Sequence, residues 1–226
     1  MIKIYWASGS PMAWPIQLAL REKNLTHQSC QLSFAAGENR APAFLALNPR
    51  GKVPLLVDGD VTVYEAHAIM DYLESAYPEQ PLVPDDNPGR IRNLIRKNET
   101  AYIYPAADAA ISYTSYSSTL SRDDWNIDHL AGLAEPLVNE FKRWNGYLLD
   151  NSWLCGECGP MQADLFLIPL LMYMKRFGFD YAARGLPALA AYSARAERRE
   201  SVQATWPPHW LQSEGDPTFS QFLNCA

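Results

Sequence analysis

The sequence predicts an α/β layer followed by an all-helical region, and three observations support this division. Short apolar strands alternate with helices over the first part of the chain. The stretch 77–88 then holds four prolines without any periodicity, and only helical patterns follow it. A chain of 226 residues is long enough for two domains. We therefore predict an N-terminal domain over residues 1–80, a linker over 81–88 and an all-helical domain over 89–226.

The N-terminal region follows the order strand, helix, strand, short helix, strand, strand, helix. Pro15 is compatible with the first helix because it falls in the first turn, where no N–H is needed. Asp58-Gly59 lies between two apolar runs and predicts a tight hairpin. The predicted strands are 2–6, 27–32, 53–57 and 61–64, and the predicted helices are 13–23, 42–47 and 66–77.

The region after the linker carries helical periodicity only. We expect Pro136 to mark a helix start and Pro169 to kink a helix, since proline disrupts a helix interior. The predicted helices are 90–112, 128–150, 163–176 and 187–197.

Composition excludes several classes of function. The chain has 19 Lys and Arg against 25 Asp and Glu, and this net charge of −6 argues against nucleic-acid or anionic-membrane partners. The longest apolar run, 165–174, is well short of the roughly 20 residues of a membrane span. The first residues lack the apolar segment of a secretory signal. We expect a cytoplasmic protein with no membrane partner.

The four cysteines do not form a disulfide framework in a chain of this length. Cys155 and Cys158 form a CxxC motif in a predicted loop, but no second pair of ligands accompanies it, as a zinc site requires. We predict two loop thiols and no metal. We expect Cys30 to lie in the core and Cys225 at a frayed terminus.

The proline at the start of the third strand suggests a thioredoxin-like layer. In such a layer a cis proline exposes the preceding backbone groups, which can pair with an extended peptide. Val53-Pro54 is the candidate. The alternative is an ordinary trans proline that opens an edge strand.

Three separated motifs resemble one enzyme family. Residues 48–54 (NPRGKVP) and 64–69 (YEAHAI) resemble the glutathione-binding core of glutathione transferases. The stretch 5–25 looks like the family's first strand and helix. Residues 199–210 look most like the rho class, with a Ser-type active site similar to the theta and zeta classes. The resemblance covers nearly the whole chain and implies a thioredoxin-like domain, an all-helical domain and a homodimer.

The resemblance implies a site for glutathione as cosubstrate. Glu65 would accept a charge-assisted bond from the γ-glutamyl ammonium. The backbone of Val53, presented by Pro54, would pair with the cysteinyl part. Lys52 would lie near the glycine carboxylate. A second partner for that carboxylate would be Asn39 or Arg40. The alternative for Lys52 and Arg40 is a pair of solvated surface cations.

Activation of the thiol needs a hydrogen-bond donor, because a free thiol with a pKa near 8.5 is mostly protonated at neutral pH. In Ser-type members of the family the donor lies between the first strand and the first helix, where this chain has Ser10. Ser8 and Tyr5 are the runners-up. The structural alternative for Ser10 is a capping or turn serine.

Two positions depart from the family pattern. Ala66 replaces a serine after the glutamate, which leaves the backbone N–H groups of a helix start as the anion site for the γ-glutamyl carboxylate. Met161 replaces the capping Ser or Thr three residues before Asp164, which costs about 1 kcal/mol, and we expect the helix to survive.

The resemblance also implies a hydrophobic cosubstrate site above Ser10. Aromatic residues at helical spacing are more often core, so we expect about half of the candidates to line the site. They are Met12, Trp14, Tyr102, Tyr104, Tyr113, Tyr116 and Trp206, with Trp210 as an alternative from the tail.

The expected function is a glutathione S-transferase that activates the glutathione thiolate for attack on a hydrophobic electrophile. The first alternative is a glutathione-dependent isomerase, lyase or reductase. The second is a non-catalytic binding protein, which the departures at Ala66 and Met161 motivate.

Overall fold

The computed structural model describes residues 1–117, 126–212 and 215. Its sheet has the strand order β2-β1-β3-β4. β1 runs parallel to β2 and antiparallel to β3, and β3 is antiparallel to β4. This mixed sheet with its helices confirms the predicted thioredoxin-like layer. The strands are β1 (Ile2–Trp6), β2 (His27–Gln31), β3 (Leu55–Asp58) and β4 (Val61–Tyr64).

Helices and the loops between them make up the rest of the described chain, and no strand follows β4 within it, which confirms the all-helical second part. Short 3-10 turns in the described residues cover Glu38–Arg40, Thr100–Tyr102 and Pro208–Leu211. None of the described helices combines the length and the apolar character that crossing a membrane requires. The helices are α1 (Trp14–Glu22), α2 (Pro42–Leu47), α3 (Ala66–Ala76), α4 (Asn87–Glu99), α5 (Ile103–Ser117), α6 (Ile127–Tyr147), α7 (Gln162–Arg176), α8 (Pro187–Glu197) and α9 (Glu200–Ala204).

The segment between α3 and α4 covers residues 77–86, so α4 begins inside the proline-rich stretch 77–88. α4 begins at Asn87 because the Asp86 carboxylate accepts a hydrogen bond of 2.8 Å from the Gly89 backbone N–H. The division into 1–80, 81–88 and 89–226 stays a prediction. The single helix expected over 90–112 is interrupted by the 3-10 turn at Thr100–Tyr102.

Pro136 lies inside α6, so the prediction that it starts a helix is wrong. Proline in a helix interior costs about 3 kcal/mol because it removes an N–H and crowds the preceding turn. Pro136 is exposed, so the carbonyl left without its N–H partner can be hydrated. Burial of Leu137, Phe141 and Trp144 on another face holds the helix together despite this cost. Pro169 lies inside α7, and the kink expected there stays a prediction.

α7 joins the two parts of the molecule. It packs against α1 of the sheet layer and against α4 and α8 of the helical part. Residues 162–172 are buried in succession, so this helix is covered on all sides. A helix buried on every face lies at the centre of a core rather than at its margin.

The buried carboxylate of Asp164 fixes the start of α7. Asp164 is fully buried, and its oxygens accept hydrogen bonds from the Leu154 N–H at 3.0 Å and the Met161 N–H at 2.9 Å. The Tyr192 hydroxyl of α8 donates a third bond at 2.9 Å. Met161 offers no side-chain bond at the cap, yet the helix forms, as expected. Burial raises the pKa of Asp164 to about 6.

Buried Lys23 ties the proline-rich segment to the sheet layer. Its side chain is 1% exposed, and its ammonium donates at 2.8 Å to the carbonyls of Tyr77 and Gln80. It also forms an ion pair of 2.9 Å with Glu74. Three acceptors around one ammonium satisfy the buried charge, so the segment after α3 is held against the end of α1.

Candidate functional site

The strand register brings several loops to one edge of the sheet. Tyr5 of β1 lies opposite Leu55 of β3, and Leu55 lies opposite Tyr64 of β4. Because β3 is antiparallel to both neighbours, the chain leaving β1, the chain entering β3 and the chain leaving β4 share this edge. They carry the loop Ser8–Ser10, the dipeptide Val53-Pro54 and the side chain of Glu65.

The Val53-Pro54 peptide bond is cis, so the alternative of an ordinary trans proline is wrong. The loop before it is held by buried Asn48, whose amide donates at 2.7 Å to the Lys52 carbonyl and accepts at 3.1 Å from the Arg50 N–H. In the part of the chain that the structure describes, the backbone N–H and C=O of Val53 have no hydrogen-bond partner. They are therefore available to an extended peptide.

Glu65 has an unusual backbone conformation, with φ at 72° and ψ at 121°. A side chain in this left-handed region costs about 1–3 kcal/mol, and such strain clusters at functional sites. The Glu65 side chain is 64% exposed, and its carboxylate lies 3.5 Å from the Arg50 Nε atom. The site edge therefore displays a carboxylate that a ligand ammonium can reach.

The amino end of α3 begins directly after Glu65, and Ala66 is its first residue. No side chain caps this end, so the backbone N–H groups of Ala66 and His67 can bind an anion. Burial and the nearby charge of Lys97 lower the pKa of His67. The Lys97 ammonium is 3% exposed and pairs with Asp71 at 2.5 Å, behind the helix start.

The predicted partners of the glycine carboxylate also lie close together. The Asn39 amide donates at 2.7 Å to the Gly51 carbonyl, next to exposed Lys52. A Cβ atom at Gly51 would lie 3.0 Å from the Arg40 Nη1 atom. The structure thus brings Asn39, Arg40 and Lys52 around one loop, and their contacts to glutathione stay predictions.

The three candidate donors to the thiol have different surroundings. The Ser10 Oγ atom accepts from the Ala13 N–H at 3.3 Å, in the turn that leads into α1. This bond uses the oxygen and leaves the hydroxyl hydrogen available. Ser8 pairs with His209, and Tyr5 packs edge-on against Phe44 at 5.9 Å. These contacts favour Ser10, whose role stays a prediction.

The C-terminal turn covers the loop after β1, a feature that sequence reasoning missed. The Ser8 Oγ and His209 Nδ1 atoms are 2.6 Å apart. Trp210 is buried beside this contact, 5.5 Å from the ring of Trp14 and 5.7 Å from that of Trp206. No sequence signal links positions 8 and 209, because they are 201 residues apart.

The candidates for the cosubstrate site occupy different environments. Trp14 is 2% exposed and belongs to the core, where its indole N–H donates at 2.8 Å to the Thr205 hydroxyl. Tyr102 and Tyr104 are 66% and 39% exposed, whereas Met12 and Trp206 are half-buried. The side chains of Tyr113 and Tyr116 lie outside the described residues. The contacts of these residues with a cosubstrate stay predictions.

Among the cysteines of the described residues, Cys155 and Cys158 lie in the segment before α7, whereas Cys30 of β2 lies opposite Tyr5 of β1. Cys155 is half-buried, and burial raises the pKa of its thiol to about 12, which keeps it protonated at neutral pH. Cys30 is also half-buried, because β2 is an edge strand, so its prediction as a core residue is wrong. Cys225 lies outside the described residues. Within the described ranges, no group of three or more His, Cys, Asp or Glu side chains could hold a metal.

Comparison with known proteins gives consistent results. Residues 9–76 match the family model described as glutathione S-transferase, N-terminal domain. The chain is 32% identical to glutathione S-transferase A of Pleuronectes platessa, with 93% of both chains covered. It is 31% identical to maleylacetoacetate isomerase of Pseudomonas aeruginosa, covering 78% of this chain and 83% of the relative.

A solved structure extends the similarity to the whole fold. The crystal structure of a glutathione S-transferase from the Antarctic clam Laternula elliptica superposes with a TM-score of 0.88 at 30% identity. The superposition covers 98% of this chain and 99% of the clam protein. Together with the cis proline, the strained glutamate and the serine loop at one sheet edge, these similarities show that the chain belongs to the glutathione S-transferase family.

Proposed function

We propose that this protein transfers the glutathione thiol to a hydrophobic electrophile, with Ser10 stabilising the thiolate. The observation that carries the proposal is the shared sheet edge, where the strand register gathers Ser10, cis Val53-Pro54 and Glu65. The relatives named as glutathione S-transferases support the same conclusion.

Glutathione fits this edge group by group. Its γ-glutamyl ammonium meets the exposed Glu65 carboxylate, and its cysteinyl backbone pairs with the open N–H and C=O of Val53. Its γ-glutamyl carboxylate faces the N–H groups at the start of α3, which replace the hydroxyl absent at Ala66. Its glycine carboxylate approaches Lys52.

The chemical step begins with loss of the thiol proton to water. The thiolate sulfur then forms a bond to the electrophilic atom, while a leaving group departs or a π bond opens to take up the electron pair. A hydrogen bond from Ser10 to the thiolate is worth about 1.5–3 kcal/mol, which corresponds to a fall in the thiol pKa of about one to two units. That fall brings a substantial fraction of the thiol into the reactive form at neutral pH.

Substitution of Ser10 tests the proposal. We expect Ser10→Ala to lower turnover at neutral pH by about ten-fold or more and to shift the rate profile to higher pH. Ser10→Thr keeps a hydroxyl and serves as the matched control, with most of the activity retained. Steady-state kinetics with an aryl halide electrophile provides the measurement. Unchanged turnover in Ser10→Ala would assign the role to Ser8 or Tyr5.

Isomerisation is the second candidate, because the chain is similar to a relative named maleylacetoacetate isomerase. In that reaction glutathione adds to the substrate and then leaves, so that free glutathione is recovered. In a transfer reaction a thioether persists. Mass spectrometry of the products separates the two outcomes, and elimination or reduction would show different products.

A non-catalytic binding role is the remaining alternative, because Ala66 lacks the hydroxyl found in the family. Isothermal titration calorimetry with glutathione tests whether the site binds at all. Absence of binding at millimolar concentration would contradict both enzymatic proposals. Binding without turnover of any electrophile would favour the non-catalytic role.

We also propose that the protein is a homodimer. Ile91, Leu94 and Ile95 form an apolar stripe along α4, and each is about half exposed. We expect Leu94→Glu to convert the dimer into a monomer in sedimentation experiments. Leu149→Glu, at a leucine after α6 that is 65% exposed against 49% for Leu94, is the control and should leave the dimer intact. A monomeric wild-type protein would refute the proposal.

A further inference from the structure

The C-terminal turn makes a direct polar contact with the loop that carries Ser10. The His209 Nδ1 and Ser8 Oγ atoms lie 2.6 Å apart, which is a short hydrogen bond. Ser8 precedes Ser10 by two positions, and the turn at Pro208–Leu211 comes from the other end of the chain. This turn therefore contacts the loop next to the proposed thiol site.

A second contact between the same two segments lies at Gly9. Gly9 has φ at 76°, and a Cβ atom there would lie 2.7 Å from the His209 Cε1 atom and 3.3 Å from the Trp210 Nε1 atom. The turn thus packs directly on the loop backbone, and a larger residue at position 9 would be strained and would have to displace the imidazole. The turn at Pro208–Leu211 therefore contacts the loop at both Ser8 and Gly9.

The turn itself is firmly anchored to the helical core. Trp210 is 8% exposed and packs edge-on against Trp14 and Trp206. The Arg176 guanidinium lies over the Trp210 ring, 5.2 Å from its centroid. His209 is consequently presented to Ser8 from a fixed base, since its neighbour Trp210 is held on several sides.

Ser10 is fixed on one side by α1 and on the other by this covered loop. Its N–H donates at 3.1 Å to the Ala7 carbonyl, and its carbonyl accepts at 3.1 Å from the Trp14 N–H. A shift of Ser8 and Gly9 therefore moves the Ser10 hydroxyl relative to any sulfur at the site edge. The strength of a hydrogen bond falls steeply as its distance and angle depart from the optimum.

We propose that His209 is a positioning residue for thiol activation, acting through Ser8 to hold the Ser10 hydroxyl against the glutathione sulfur. The inference rests on the proposed function. The proposal requires the neutral imidazole to carry its proton on Nε2, so that Nδ1 accepts the Ser8 hydroxyl hydrogen and Ser10 is left as the donor to the sulfur. Burial and the charge of Arg176 lower the pKa of His209, which favours the neutral, accepting imidazole.

The pKa of enzyme-bound glutathione tests the proposal, and it is measured from the ultraviolet absorbance of the thiolate during a pH titration. We expect His209→Ala to raise this pKa by about one unit and to lower turnover at neutral pH by about ten-fold. His209→Asn should restore both values, because its amide carbonyl can accept the Ser8 hydroxyl from the Nδ1 position. Leu211→Ala, in the same turn at a leucine that is 76% exposed, is the matched control and should behave as wild type.

Two further variants separate positioning from a general loss of structure. Ser8→Ala leaves the aromatic anchor of the tail intact and should raise the thiol pKa as much as His209→Ala does. In a Ser10→Ala background, His209→Ala should have no further effect on the thiol pKa, because the imidazole acts through the Ser10 hydroxyl.

The outcomes distinguish this inference from the proposed function. If glutathione binds and Ser10→Ala raises the thiol pKa while His209→Ala does not, the inference is wrong and the proposed function stands. Failure of His209→Asn to restore the thiol pKa would also overturn it, as would additive effects of Ser10→Ala and His209→Ala. If glutathione does not bind to the wild-type protein, the proposed function itself fails.

Discussion

Two acidic residues at the amino ends of helices have opposite surroundings in this protein. Glu65 precedes α3 with its side chain 64% exposed and its backbone in the left-handed region. Asp164 lies in the first turn of α7, fully buried, and accepts hydrogen bonds from three groups. Both carboxylates occupy positions where a helix dipole favours negative charge.

The difference shows which of the two is available to a ligand. The bonds of Asp164 come from Leu154, Met161 and Tyr192, three separate segments of the helical part, so its carboxylate serves the fold. Glu65 has a strained backbone. Its ion pair with Arg50 is exposed and contributes little to stability, so it does not offset this strain. A strained residue with an accessible charge is better explained by binding than by folding.

The largest expected effect is the loss of the buried carboxylate. Asp164→Ala leaves two backbone N–H groups and the Tyr192 hydroxyl without acceptors in the core, so we expect the free energy of unfolding to fall by about 4 kcal/mol. Urea denaturation measures this change. Tyr192→Phe removes one donor while keeping the ring, and we expect a loss of about 1 kcal/mol. A loss below about 1 kcal/mol in Asp164→Ala would contradict the assigned role.

The pH dependence of stability gives the next largest effect. The pKa of Asp164 is about 6 in the folded protein against 3.8 as its ordinary value. Between these values the folded state binds more protons than the unfolded state, so this group lowers stability as pH rises through that window. We expect the free energy of unfolding of the wild type, relative to Asp164→Asn, to increase by about 2.4 kcal/mol as pH falls from about 7 to about 4.

Chemical denaturation of both proteins across this range provides the test. The comparison with Asp164→Asn removes the contributions of all other titrating groups, which the two proteins share. A constant difference would contradict the raised pKa of Asp164. A change in the opposite direction would mean that its three hydrogen bonds outweigh its burial.

The sequence predicted the elements that depend on local patterns. The hairpin at Asp58-Gly59 and the helices α2 and α8 formed where turn chemistry and apolar spacing placed them. Pro136 was misplaced because burial of one face of α6 outweighs a local helix breaker. The position of Pro54 at the third strand made Val53-Pro54 the candidate for a cis bond but left a trans bond as the alternative, because cis is the minority state for such a bond.

The sequence did not predict the tertiary contacts of the site. Ser8 and His209 are 201 positions apart, and no pattern in the sequence predicts that a serine and a histidine so far apart are in contact. The bond from Tyr192 to Asp164 spans 28 positions between two helices, so it depends on helix packing that periodicity does not define. The strained φ of Glu65 is likewise set by the junction of β4 and α3. Residue type alone would have predicted an ordinary exposed glutamate there.

The smallest expected change in stability tests the strain at Glu65. Glycine adopts this backbone conformation without steric cost, so we expect Glu65→Gly to raise the free energy of unfolding by about 1 kcal/mol, the relief of strain less the added entropy of the unfolded chain. The same substitution removes the acceptor for the γ-glutamyl ammonium. We therefore expect glutathione affinity to fall by about ten- to a hundred-fold.

Glu65→Gln separates the two effects, because it keeps the strained side chain and removes its charge. We expect it to weaken glutathione binding to a similar extent while the free energy of unfolding changes by less than about 0.5 kcal/mol. Calorimetric titration gives the affinity and urea denaturation gives the stability. If Glu65→Gly destabilised the protein, the Glu65 side chain would contribute to stability at the start of α3. Its left-handed conformation would then not be strain that is explained by ligand binding. If neither variant lost affinity, the exposed carboxylate would have no part in binding, and the contrast with Asp164 would rest on burial alone.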